Sequence, residues 1–159
     1  MAYITRVKAA VPGVTVTTSD TYGTLLNAQN ASVLDAVDMV MYTAYPYWEG
    51  VSPAQAPAYL ASRHAELVAR APGKRVVVGE TGWPTCGNTI GSAVPSPGNA
   101  AQYASAVLAW SRTSHVEMFY FTGFDENWKA TPDRPQEACW GVWDRLGNAK
   151  PSMRPLLFQ

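Results

Sequence analysis

Arg75–Thr85 reads RVVVGETGWPT. Three successive valines lead straight into a carboxylate, Glu80, and a glycine, a tryptophan and a proline follow almost at once. An uninterrupted apolar run without polar alternation marks a strand covered on both faces, as in a parallel sheet. A strand of that kind that stops at a glutamate places a charge where it is partly desolvated. Such a position is expensive unless the group is hydrogen-bonded or used in chemistry.

Three other segments read the same way: VTVTTS over 14–19, DMVMYTAY over 38–45 and VEMFYF over 116–121. Helical patterns lie between them. In Pro53–Arg70 the residues Ala56, Tyr59, Leu60, Leu67 and Val68 share a stripe, with Ser52 as N-cap, Pro53 as first helical residue, and Pro72 and Gly73 ending the element. In Asn99–Arg112 Asn99 reads as the cap, and Tyr103, Ala106, Val107 and Trp110 fall on one face. Short helical turns are expected at 22–26 and 33–37, and MAYITRVKAAVPG reads as the end of a helix with its cap. Strands alternating with helices make βα units. Polar and aromatic residues collect after each strand: Ser19 and Asp20, then 45–49, then 80–85, then 125–129. In α/β folds that edge is where loops converge on an active site.

Composition narrows the chemistry. The 159 residues suffice for one domain spanning 1–159 with a real core, and 47% of them are apolar. Twelve basic and twelve acidic residues balance, so there is no basic field for nucleic acid or an anionic membrane. No apolar run reaches the roughly 18 residues of a membrane span, and the N-terminal stretch lacks the apolar core of a signal peptide. Cys86 and Cys139 lack the paired spacing of a zinc site. They read either as two unlinked thiols, which their isolation favours, or as one disulfide tying two loops. His64 falls in the long helix and His115 at the end of the sheet away from the polar loops, so both are read as solvated or structural. Asp20, Asp125 and Glu126 lack metal-ligand spacing, and no metal or cofactor is implied.

Glu80 suits the nucleophile of a retaining glycosidase, in which one carboxylate attacks the anomeric carbon and a second carboxyl, about 5–5.5 Å away, protonates the leaving oxygen. On spacing alone, a structural ion-pair role is equally open. Five of the six tryptophans, Trp48, Trp83, Trp128, Trp140 and Trp143, follow strands, and flat sugar faces pack on indole rings.

VVVGETGWPT closely resembles the nucleophile signature of glycoside hydrolase family 17, the β-1,3-glucanases and related transglycosylases. TVTTSD (15–20), VDMVMYTAYPYWEG (37–50), FYFTGFDENWK (119–129) and WGVWD (140–144) resemble that family in the same order. The resemblance implies that Glu80 is the nucleophile, that Glu126 and Lys129 line the same site, and that Asp20, Tyr45, Trp48, Trp83 and Trp128 bind β-glucan. It also implies action outside the cytoplasm, secreted, periplasmic or in the cell wall.

Family members are (β/α)8 barrels of about 250 residues, and this chain carries four strands that match the second half. The family's acid/base glutamate lies at the end of the fourth barrel strand, a segment with no counterpart here. Four strands leave two open edges and uncovered apolar side chains. The expectation is therefore a (β/α)4 half-barrel completed by homodimerisation, with Glu126 of the second copy near the acid's place, or by a separate N-terminal half. The alternative is a catalytically silent, glucan-binding half-barrel.

Overall fold

A computed structural model describes residues 2–157; Met1 of the N-terminal helical stretch lies outside them. Four strands, β1 (Ser19–Thr21), β2 (Val40–Thr43), β3 (Val76–Thr81) and β4 (Met118–Tyr120), form one parallel sheet in the order β1-β2-β3-β4. The helices are α1 (Ala2–Ala10), α2 (Tyr22–Leu26), α3 (Ala31–Ala36), α4 (Ala56–Arg70), α5 (Pro97–Ser114) and α6 (Arg154–Leu157). The fold is the alternating α/β arrangement that the pattern of apolar runs implies.

The apolar runs differ in what they deliver. β2 and β3 are the inner strands, and Val40, Tyr42, Val77 and Val78 are buried. β1 departs from expectation. Its ladder begins at Ser19 rather than Val14, all three of its residues are exposed, and Val14 is exposed as well. The extended segment ahead of it is held by one backbone bond, Asp38 N–H to Val16 O (2.9 Å), and by side chains: Val16 N–H donates to Asp38 Oδ2 (2.8 Å) and Thr17 Oγ1 to Met39 O (2.7 Å). β4, the opposite edge, leaves Phe119 62% exposed. Burial on both faces is therefore reached only at Val77 and Val78 of β3; β2 alternates buried and half-buried residues, and the edge strands bury none.

Helix boundaries follow local chemistry. α4 starts at Ala56, because the Ser52 carbonyl accepts from the N–H groups of Gln55 and Ala56 and closes a turn first. Its buried face is Ala56, Leu60 and Leu67, whereas Val68 points outward. α5 is capped by Ser96, whose Oγ accepts from Asn99 N–H (3.1 Å), so the helix starts earlier than expected and Asn99, the expected cap, lies within its first turn. Pro97 occupies the first turn, where no intrahelical N–H is needed. Lys74 Nζ donates to the carbonyls of Leu34, Asp35 and Val37 and satisfies the otherwise orphaned C-terminus of α3.

Cys86 and Cys139 form a disulfide, which replaces the reading as separate thiols. Neither segment announces the other in sequence, since 53 positions separate them. The bond ties the loop after β3 to the loop after β4. In the chain-entropy account a closed loop of that length contributes about 4 kcal/mol. The Cys86→Ser/Cys139→Ser variant should therefore lose about 4 kcal/mol in urea unfolding monitored by tryptophan fluorescence. The unreduced protein should resist alkylation; a full complement of two reactive thiols would contradict the pairing.

Candidate active site

The site is built by an irregularity in β3. Pairing with β2 runs Tyr42 to Val78 and then Thr43 to Glu80, and pairing with β4 jumps from Val78–Met118 to Thr81–Tyr120. β3 thus carries an extra residue at Gly79–Glu80 relative to both neighbours. A bulge of this kind re-aims the side chain that follows it. It also explains the glycine: a Cβ at Gly79 would stand 2.7 Å from Met41 Cγ. Gly82 meets a closer constraint, since a Cβ there would lie 2.1 Å from the Phe121 carbonyl oxygen. The two glycines of GETG are positions where neighbouring chain approaches the backbone too closely for any side chain.

Glu80 is half-buried, and its Oε2 accepts a hydrogen bond from Tyr45 OH at 2.8 Å. Tyr45 stands just past β2, edge-on to Trp140 (5.2 Å between centroids) and to Phe121 (6.0 Å). Lys129 Nζ lies 5.1 Å from the Phe121 centroid and pairs with Glu126 Oε2. Glu80, Tyr45, Phe121, Lys129 and Glu126 therefore form a continuous series of contacts across the carboxyl ends of β2, β3 and β4. Trp48, packed on Tyr47 and Trp140, forms with Thr21, Tyr22, Thr43, Ala44, Tyr45 and Glu49 a cleft of about 90 Å³ beside Tyr45.

Other expected residues sit differently. Asp20 lies on the edge strand, two strands from Glu80, and its Oδ1 accepts from Thr21 N–H. Trp128 stands 76% exposed on the turn Asn127–Lys129 and is available to a flat ligand. Trp83 is a correction. It is wholly buried among Tyr47 and Tyr103, and its Nε1 donates to Val94 O (3.1 Å), so its ring supports the floor and offers no face to a sugar. His64 is half-buried between Tyr42 and Trp110, and desolvation lowers its pKa; this is a packing role.

Glu137 is the carboxylate that sequence reading missed. It lies in the turn Pro135–Ala138 rather than at a strand end, and its charge reaches both Tyr45 and Tyr47. Its one signal in the sequence is proximity to Cys139, whose disulfide draws that turn toward the loop after β3.

Burial pushes the Tyr45 phenol far up, and the hydrogen bond to Glu80 and the charges of Glu80 and Glu137 add to the effect. Burial raises Tyr42, Tyr59, Tyr103 and Tyr120 in the same direction. Raised folded-state values mean that the stability these groups contribute is intact below the ordinary phenol value of 10.0 and is lost as pH rises above it. Alkaline titration should show these phenols ionising only with cooperative unfolding, read as simultaneous loss of near-UV circular dichroism and gain of phenolate absorbance. Ionisation of all tyrosines near 10.0 in a still-folded chain would contradict this.

Comparison with known proteins gives consistent results. The family model of the BtgE/BtgC glycoside hydrolase domain matches residues 1–141. A glucan 1,3-beta-glucosidase of Saccharomyces cerevisiae is 32% identical over 149 residues, 89% of this chain and 48% of the yeast protein. The crystal structure of a family 17 beta-1,3-glucanosyltransferase from Rhizomucor miehei superposes with a TM-score of 0.86 at 34% identity, covering 95% of this chain and 55% of that one. An active-site mutant of the Rhizomucor enzyme in complex with laminaritriose gives a TM-score of 0.85 at 33% identity. The chain spans about half the length of these relatives, and its four-stranded sheet is one half of a TIM-type (β/α)8 barrel.

Proposed function

Since this chain belongs to the BtgE/BtgC glycoside hydrolase domain family, among the β-1,3-glucanase-like proteins of glycoside hydrolase family 17, we propose that residues 1–159 are a C-terminal half-barrel carrying the nucleophile of a retaining β-1,3-glucan-active hydrolase or transglycosylase. The observation that carries this reading is Glu80, turned out of the strand by a bulge and held by the Tyr45 hydroxyl in an aromatic cleft.

In such a reaction Glu80 attacks the anomeric carbon while a second carboxyl protonates the departing glycosidic oxygen. That second group, now a base, then deprotonates water or a sugar hydroxyl that displaces Glu80. Tyr45 fixes the attacking carboxylate. Lys129 and Glu126 hold the hydrogen-bond network on the β4 side, while Trp48 and Trp128 offer sugar-stacking faces. The barrel is completed by a second half, and a second copy of this chain is the partner its two open parallel edges favour: β4 of one copy pairs with β1 of the other. Glu126 of the second copy then approaches the acid's place. The chain acts outside the cytoplasm, where the Cys86–Cys139 bond persists.

Two measurements test the reading. Light scattering at micromolar concentration should give twice the 17.2 kDa chain mass, and that sample should turn over laminarin-type oligosaccharides. Glu80→Gln should abolish turnover while leaving the mass unchanged. Tyr45→Phe should reduce turnover by about 10- to 100-fold, as loss of a hydrogen bond to a charged group predicts. A monomer would overturn the pairing of two copies. Oligosaccharide binding without turnover, unchanged by Glu80→Gln, would replace the enzyme by a silent glucan-binding half-barrel.

A further inference from the structure

Lys150 follows the last strand by thirty positions and lies outside every helix and strand, yet its ammonium joins three separate parts of the chain. Nζ donates to Asp125 Oδ1 (2.7 Å), to Thr85 Oγ1 (2.8 Å) and to Cys139 O (3.3 Å). The side chains of Lys150 and Asp125 are each only 14% exposed. An ammonium has three donors and no acceptor capacity, and here each donor has a partner. That is the condition under which a poorly solvated charge pair is tolerated.

The partners are themselves fixed. Asp125 Oδ1 also accepts from Gly141 N–H (2.9 Å), while Asp125 N–H donates to Trp143 O (3.0 Å). Thr85 directs both its N–H (2.9 Å) and its hydroxyl (3.0 Å) to Cys139 O. Gly141 leaves no room for adjustment, because a Cβ there would lie 2.3 Å from Asp125 N. Thr85 lies in the loop that follows Glu80 and Thr81 at the end of β3, and Asp125 immediately precedes Glu126. One cation, beside the Cys86–Cys139 disulfide, therefore bonds both the loop after the proposed nucleophile and the loop bearing Glu126 and Lys129.

We propose that Lys150 is a positioning residue for the active site: its ammonium clamps the 122–131 loop to the 82–87 loop and thereby places Glu126 and Lys129 relative to Glu80. The functional consequence rests on the reading of Glu80 as the nucleophile, whereas the clamp itself rests on geometry alone. Lys150→Met keeps most of the stem volume and removes the charge, leaving Asp125 without its cation. Lys150→Met/Asp125→Asn removes both charges and separates loss of the clamp from the penalty of an unpaired carboxylate.

Amide hydrogen exchange of the full chain tests the clamp, and laminaritriose titration followed by tryptophan fluorescence tests its consequence. In both variants, amides of 82–87 and 122–131 should exchange about tenfold faster or more, while those of α4 keep their rates, as expected of a local opening. Laminaritriose affinity should fall about tenfold, with the double variant melting closer to the wild type than Lys150→Met does. Unchanged exchange in both loops, or uniform acceleration throughout the chain, would overturn the clamp. Wild-type protein that fails to bind laminaritriose would count against the proposed function, and the exchange rates alone would then decide for or against the clamp. Localised exchange with undiminished affinity would overturn the positioning role and reduce Lys150 to a loop fastener.

Discussion

The architecture turns on the extra residue that β3 carries at its carboxyl end. A parallel strand flanked by two others has its side chains committed to one face or the other, and a regular β3 would keep Glu80 on that alternation. Inserting one position at Gly79 breaks the register with β2 and β4 together. Glu80 comes into reach of Tyr45, while Thr81 returns to the core and meets the Tyr103 hydroxyl at 2.6 Å. The glycines on either side of Glu80 and Thr81 follow from this geometry, because Met41 presses on one and the Phe121 carbonyl on the other. The sheet keeps a carboxylate at its edge by giving up two side chains.

The same sheet leaves two edges unpaired among the described residues. Its inner strands have a neighbour on each side and bury Val40, Tyr42, Val77 and Val78, but the backbone of β1 and β4 ends the ladder on both sides, and Phe119 and Val14 are left open to solvent. Parallel strands are ordinarily buried, and unpaired edges of this type favour association. The relatives are about twice as long as this chain, so in them the same edges meet four further strands. On the proposed reading, the strands that close these two edges decide where the second carboxyl comes from.

Sequence reading was strong where physics is local. The inner strands, α2 and the end of α4 follow from apolar runs and capping residues, and their places differ from expectation by few residues. It was weak where position depends on distant chain. β1 starts five residues later than its apolar run because an edge lacks the second neighbour that would extend its ladder. Trp83 looks like a cleft residue because it follows a strand, but the close approach at Gly82 turns it inward. Glu137 and Lys150 reach the site through the Cys86–Cys139 bond and through Asp125. Neither has a periodicity or motif, since what fixes them is closure of long loops.

These long-range ties separate the two tasks of a retaining site. Holding a nucleophile requires little motion between Glu80 and its surroundings, because fixed dipoles and charges stabilise a developing charge only when they are already in place. Much of that rigidity is present in the described residues: the Tyr45 hydroxyl just past β2 and, on the β3–β4 side, the aromatic floor of Trp140 and Phe121, the disulfide and the Lys150 ammonium. Proton delivery makes a different demand, since the acid must stand across the scissile oxygen from Glu80, on the far side of the cleft. The Glu80 side of the cleft is therefore organised within the described residues, and on the proposed reading a second carboxyl is all that closure of the barrel has to add.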